Sequence, residues 1–205
     1  PLLDVEVRIA PDGEILARGE SLMQGYWGNE PASREAIRDG WLYTGDIGHF
    51  DDDGHLVITD RKKDIIVNSG GDNVAPQRIE GLLALEPEIA QAMVHGDRHP
   101  HLVSLVVPDP DWLQAWAQRA GKTGDARALA GDRDLSAALT AVVERVNAGL
   151  SPIEKVRRIL VADEPLTIEN GMLTPTLKIR RHKVREAYGA RLDALVVDMR
   201  EHLRG

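Results

Sequence analysis

A chain of 205 residues, 42% hydrophobic and 28% charged, has the make-up of an ordinary globular protein with a core of its own, in one or two domains. Its formal net charge of −8 argues against a nucleic-acid binder, and the absence of Cys excludes disulfide and thiolate-zinc architectures. No apolar run in these residues approaches the length of a membrane span. The absence of Cys fits a reducing compartment, and a cytoplasmic setting is expected.

The first residue is Pro1 rather than Met, and LLDVEVRIA reads as a strand already under way, as in a piece cut from something longer. Val5, Val7 and Ile9 alternate with polar neighbours, and Pro11-Asp12-Gly13 turns the chain into Glu14–Arg18, which predicts a hairpin. Gly25 to Gly28 reads as a loop, and Pro31 to Ile37 as a short helix ended by Asp39-Gly40. Trp41–Thr44 and His55–Thr59 read as strands on either side of an acidic turn, Asp51 to Gly54. The acids of that turn lack the spacing and the closing Glu of a calcium loop, so they read as a solvated turn.

The stretch Asp60–Glu80, DRKKDIIVNSGGDNVAPQRIE, packs a charged joint, a strand at Ile65–Val67, turn chemistry at Ser69–Asn73 and a helix opened by Pro76 into twenty-one residues. Taken alone it reads more readily as an ordinary hairpin and helix with a solvated charge run than as a functional joint. The helix carries Ile79, Leu82 and Leu83 on one face to about Leu85. Ile89–His95 and His101–Val107 are predicted strands. His99 and His101 suggest a metal pair, but with no third ligand near in sequence the loop reads as plain surface. Asp111 is expected to cap a helix bearing Trp112 and Trp116, and Gly121 to Gly131 reads as a linker. Leu135, Leu139, Val142, Val143 and Val146 mark an amphipathic helix ending near Gly149, followed by a strand from Val156 to Val161. Asn170-Gly171 signals a tight turn. Lys178, Arg180, Arg181, Lys183 and Arg185 gather five cations in eight residues, suited to phosphates or to a solvated face, and a helix from Tyr188 to Leu203 closes the chain.

Four motifs in order narrow these alternatives. YTGD at Tyr43–Asp46, DRKKDIIVNSGGDNVAP at Asp60–Pro76, RIE at Arg78–Glu80 and ENGMLTPTLKIRR at Glu169–Arg181 together resemble the C-terminal part of the adenylate-forming (AMP-binding) enzymes. That superfamily includes acyl-CoA synthetases, firefly luciferases and peptide-synthetase adenylation domains. TPTLKIRR and the long segment between Val107 and Val156 look most like long-chain fatty acid–CoA ligases.

The resemblance implies an α+β fold: a β-rich end of the large N-terminal domain at residues 1–60, then a small α+β lid domain at 61–205. It implies ATP and CoA as cosubstrates, a fatty acid as substrate, and Mg2+ held by an acid that is not in this chain. Asp46 matches the carboxylate that holds the ribose hydroxyls, and Arg61 an arginine that reaches the ribose and phosphates. Lys178 matches the lysine that meets the carboxylate and α-phosphate during adenylation, where negative charge accumulates. Lys63 falls on the hinge about which the lid turns between two catalytic poses. Ser69, Gly70 and Gly71 match the loop that lines the pantetheine tunnel in the second pose.

Lys63 stands where many members carry Asp, and Leu177 where many carry Gly. The family's phosphate loop and acyl pocket match nothing in these 205 residues, so the piece is expected to be inactive without the remaining N-terminal domain. Two alternatives stay open: an acyl-AMP ligase that passes the acyl group to a carrier protein or other acceptor, and a stand-alone non-catalytic binding module. Peripheral membrane contact stays open as well.

Overall fold

The computed structural model describes residues 4–202, and its contacts divide the chain into two compact units, 1–65 and 66–205. The first unit is β-rich. Strands β1 (Glu6–Ile9) and β2 (Glu14–Arg18) form the expected hairpin, with Gly13 at φ 84° in the turn and Glu6 opposite Arg18. Arg18 and Arg8 lie over the buried ring of Trp41, at 4.7 and 4.0 Å from its centroid. Helix α1 (Glu30–Ala36) starts at Asn29, whose side chain accepts the Ala32 N–H at 3.2 Å, and β3 (Ile37–Arg38) follows.

Strand β4 (Trp41–Phe50) runs well past Thr44, where the sequence reading ends it, and pairs with β2, β3 and β5 (Leu56–Arg61). Gly45 and Gly48 obscure this continuity in the sequence. Both are required. Gly45 has φ 71°, and a Cβ on Gly48 would stand 2.3 Å from the Val57 carbonyl oxygen, next to a register shift in the β4–β5 ladder. A single 3-10 turn, Lys62–Asp64, ends the unit.

The second unit begins with a two-stranded hairpin, β6 (Ile66–Val67) and β7 (Asn73–Val74), and helix α2 (Pro76–Leu83). Its centre is a three-stranded sheet in the order β10-β9-β8, from β8 (Ile89–His95), β9 (Leu102–Pro108) and β10 (Val156–Val161). β9 runs antiparallel to β8 and parallel to β10. Between β9 and β10 come α3 (Pro110–Arg119), α4 (Ala126–Leu129) and α5 (Arg133–Asn147), and α6 (Arg181–His202) closes the described chain.

Every residue of β9 is buried because helices cover both faces of the sheet. Alternation along the strands sorts them. Ala92, Val94, Leu102 and Val106 pack with Ile79 and Leu83 of α2 and Leu139 and Val143 of α5. Met93, Val103, Leu105 and Val107 pack with Val184, Tyr188, Leu192 and Val196 of α6. Truncating a fully buried leucine here, such as Leu139 or Leu192, costs about 2–5 kcal/mol.

Three sequence expectations are corrected. Asp109, not Asp111, caps α3, its Oδ1 accepting the N–H groups of Asp111 at 3.1 Å and Trp112 at 2.9 Å. The stretch read as a linker contains α4, which is capped by Asp125 and buries Leu129. Helix α6 starts at Arg181 rather than Tyr188, so three of the five clustered cations lie in its first two turns. The expected helix end at Leu203 lies outside the described residues.

Candidate functional site

The sheet of the first unit brings Asp46 and Arg61 together as register partners on β4 and β5. Arg61 Nε donates to Asp46 Oδ1 at 2.7 Å, with Asp46 only a quarter exposed. Asp46 is held in place by its own backbone, since its N–H donates to Thr44 Oγ1 at 3.1 Å and Thr44 Oγ1 in turn donates to the Ile15 carbonyl at 2.7 Å.

Glu14, a residue the sequence reading did not single out, ties the two motifs to each other. Its side chain is buried; Oε1 accepts the Gly45 N–H at 2.9 Å and Oε2 accepts from Lys62 Nζ at 2.8 Å. Lys62 also donates to Asp12 Oδ2 at 2.7 Å. The hydrogen bonds of Asp12 and Glu14 push the Lys62 ammonium above its ordinary range, and the same contact holds the Asp12 carboxyl below its own. The alternation that places Glu14 at the head of β2 was visible, but an inward-facing acid there has no local signal. A cavity of about 580 Å3 opens against these motifs, lined among others by Tyr43, Thr44, Gly45, Arg61, Lys62 and Lys63. Lys63 is exposed in the 3-10 turn that precedes the division between the units.

In the second unit the loop between β6 and β7 holds Ser69, Gly70 and Gly71. Asn68 organises it: its Oδ1 accepts the N–H groups of Gly70 at 2.8 Å and Asp72 at 2.9 Å, while its Nδ2 donates to Asp72 Oδ2 at 3.0 Å. Gly71 takes φ 88°, a conformation that disfavours any side chain. The loop is fastened to the turn after β8, with Ser69 N–H donating to the His99 carbonyl at 3.0 Å and Arg98 N–H to the Val67 carbonyl at 2.8 Å. Asparagine before Ser-Gly-Gly is an Asx-turn signal that could have identified Asn68.

Lys178 sits at the end of a tight turn from Thr174. Its N–H donates to Thr174 Oγ1 at 3.0 Å, its carbonyl accepts the Thr174 N–H at 2.8 Å, and a bridge joins Leu173 to Ile179. The ammonium is exposed and, among the described residues, has no ion-pair partner. A backbone pinned on both sides with a free cation at its tip can present that charge to an anion at little further ordering cost. His99, weighed with His101 as a metal pair, instead meets His95 and Asp193. A larger apolar cavity, about 730 Å3, lies against α3 and is lined by none of these residues.

Residues 63–199 match the family of AMP-binding enzyme C-terminal domains. The chain belongs to that family. It is 43% identical over 197 residues to the long-chain-fatty-acid–CoA ligase FadD15 of Mycobacterium tuberculosis, covering 95% of this chain and 33% of that protein. To the human long-chain-fatty-acid–CoA ligase 1 it is 36% identical over 202 residues, covering 95% and 29%. The chain therefore spans about a third of the length of the curated relatives it matches.

Its fold is similar to the A-PCP didomain of carboxylic acid reductase from Segniliparus rugosus in complex with AMP, with TM-score 0.80 and 26% identity, over 98% of this chain and 29% of that one. It is also similar to o-succinylbenzoate CoA synthetase from Bacillus subtilis in complex with its acyl-adenylate intermediate, at TM-score 0.64 and 25% identity, over 90% and 34%. The mixed α+β architecture expected from the motifs is the one these adenylate-forming enzymes share. Among the described residues no helix is long and apolar enough to cross a membrane.

Proposed function

We propose that the chain is the closing portion of a long-chain fatty acid–CoA ligase, with residues 1–60 ending its large domain and residues 61–205 forming the lid. A carboxylate is a poor electrophile with no good leaving group. ATP supplies one: the fatty acid carboxylate attacks the α-phosphate, pyrophosphate leaves, and the acyl-adenylate forms. The CoA thiol then attacks the acyl carbon, and AMP departs.

Within that reaction Asp46 and Arg61 hold the ribose. The carboxylate accepts hydroxyl donors while Arg61, already paired to Oδ1, orients it and faces the phosphates. Lys178 brings a cation to the approach of two anions in the first half-reaction. Rotation at Lys63 then withdraws Lys178 and brings up Ser69, Gly70 and Gly71, where the glycine backbone admits the pantetheine arm. The acid for the Mg2+ that accompanies ATP belongs outside these residues. A cytoplasmic setting fits the absence of Cys, and peripheral membrane contact fits a fatty acid substrate.

The observation that carries this reading is the 43% identity to a long-chain ligase over 197 residues of a chain that itself holds the Asp46–Arg61 pair and the pinned Lys178 turn. The likeness to a didomain that carries a carrier module supports a second acceptor, a carrier-protein thiol. The test is an assay of the full-length protein with fatty acid, ATP and either free CoA or a phosphopantetheinylated carrier. Acyl-CoA as the product supports the ligase. Acyl-carrier alone selects the second reading, and absence of pyrophosphate release with either acceptor rejects both.

A further inference from the structure

Strand β8 ends at His95, a four-residue step through the turn reaches His99, and α6 passes behind both with Asp193. His95 Nε2 lies 2.7 Å from Asp193 Oδ1, and His99 Nε2 lies 3.2 Å from the same oxygen. One ligand atom from each of the three falls within 4.8 Å of the others. None of these residues has a part in acyl activation or in the apolar core. We propose that His95, His99 and Asp193 form a binding site for a divalent transition metal, best suited to Zn2+.

The donor set is the first argument. Two imidazole nitrogens and a carboxylate oxygen suit Zn2+, Co2+, Ni2+ and Cu2+, whereas Mg2+ and Ca2+ prefer oxygen alone. Distance is the second. Tetrahedral Zn2+ with bonds of about 2.0–2.1 Å separates its ligands by roughly 3.3 Å, so the observed spacings need only small side-chain movements. With three protein donors a fourth position stays open to water.

Support from the scaffold is the third. His95 is fixed by the β8–β9 ladder, where it pairs with Val103. The His99 N–H donates to the Gly96 carbonyl, and the His99 carbonyl accepts from Ser69. Asp193 follows the fully buried Leu192 on α6. The nearest other acid on the turn, Asp97, is already engaged by the Val67 N–H at 3.2 Å. A metal here would clamp the turn 96–100 to α6, and through the Ser69 bond it would stiffen the Ser69–Gly71 loop.

The experiment uses the untagged, metal-stripped 205-residue chain with Zn2+ by calorimetry and Co2+ by visible absorption. One equivalent of Zn2+ with micromolar or tighter affinity is expected, together with d–d bands of nitrogen-and-oxygen-bound Co2+. His99→Gln and Asp193→Asn, both at accessible positions, should each weaken Zn2+ by at least about 10-fold. Zn2+ should also slow amide hydrogen exchange at Ser69. Absence of the Co2+ bands in the unmutated chain overturns the proposal whether or not the variants fold. Zn2+ affinity unchanged in both folded variants also overturns it, and leaves the three residues as a hydrogen-bonded pin.

Discussion

Arg181 and Glu80, 101 residues apart in sequence, meet at 2.6 Å between Nη2 and Oε2, each side chain only about an eighth exposed. Glu80 also accepts the Val94 N–H at 2.7 Å, and Arg181 Nη1 reaches the Val94 carbonyl at 3.4 Å. The pair thereby joins α2, β8 and the start of α6, three residues beyond Lys178. Arg181, one of five clustered cations in the sequence, and Glu80, the end of the RIE motif, form a structural latch. Removing Arg181 takes one charge-assisted hydrogen bond from Glu80, which keeps the Val94 N–H, and such a bond contributes about 1.5–3 kcal/mol. Arg181→Met should therefore lower the denaturation free energy by about 2 kcal/mol. On the proposed ligase reading, adenylation by the full-length protein should also weaken, because the Lys178 turn loses its anchor. Unchanged stability would remove the latch.

Leu177 sits at φ 61° beside Lys178 and is 69% exposed. The left-handed conformation costs a branched or bulky residue roughly 1–2 kcal/mol, and glycine recovers most of that at an entropic cost of about 0.5–1 kcal/mol. Little apolar burial is lost, because the side chain is largely in water. Leu177→Gly should thus be neutral to stabilising by up to about 1 kcal/mol, whereas Leu177→Val should destabilise. Thermal melts of the two variants decide this. A drop in stability for the glycine variant would mean that the Leu177 side chain makes contacts worth more than its strain.

Much of this was legible in the sequence, for reasons that can be stated residue by residue. Strands β1 and β9 were, because alternation at Val7 and Ile9 and the unbroken apolar run of β9 are local properties, whereas the far half of β4 and the short β3 and β7 were not. The Asp109 cap was legible and missed: Pro110 at the first helical position makes the residue before it the cap. The true start of α6 was also present, in the four-residue spacing of Val184, Tyr188, Leu192 and Val196, but the cations around it masked the pattern. The Asp46–Arg61 pair could be anticipated only through the family motifs. Glu14 with Gly45 and Lys62, Glu80 with Arg181, and His95 with Asp193 could not be anticipated, because each joins residues that only the folded chain brings together.

If Lys63 is the hinge, restricting it should separate the two half-reactions. Lys63→Pro fixes φ near −65° in the exposed 3-10 turn. The Ile65 N–H to Arg61 carbonyl bond, at 3.1 Å, does not use the Lys63 N–H and can persist. In the full-length enzyme pyrophosphate release should survive, while CoA-dependent turnover falls roughly 10–100-fold, as expected when a reacting group is misplaced. Lys178→Ala should do the reverse, abolishing adenylation yet sparing thioester formation from supplied acyl-adenylate. Parallel losses in both assays for either variant would reject the two-pose division of labour.

Tyr188 and Asp163 make the second unit's stability depend on pH at both ends of the scale. The Tyr188 hydroxyl donates to Asp163 Oδ1 at 2.5 Å, and Arg191 Nη1 approaches Asp163 Oδ2 at 3.4 Å. Burial, reinforced by the Asp163 carboxylate, pushes the phenol well above its usual range. The hydrogen bond from Tyr188, with Arg191 adding to it, holds the Asp163 carboxyl below its usual range despite partial burial. A depressed carboxyl contributes stability that is present above about pH 4 and is lost as pH falls through its folded value. A raised phenol contributes stability that is present below about pH 10 and is lost as pH rises beyond it. Tyr188→Phe removes the phenol and releases Asp163 towards its ordinary value. At pH 7 it should cost about 1–2 kcal/mol, with the partly exposed carboxylate discounted. The deficit should shrink as the pH falls from about 5 to 2 and again above about 10, because the unmutated chain then loses what the variant never had. Urea denaturation at pH 3, 7 and 10.5 reads this out, and a constant difference across the three would show that the hydroxyl acts by packing alone.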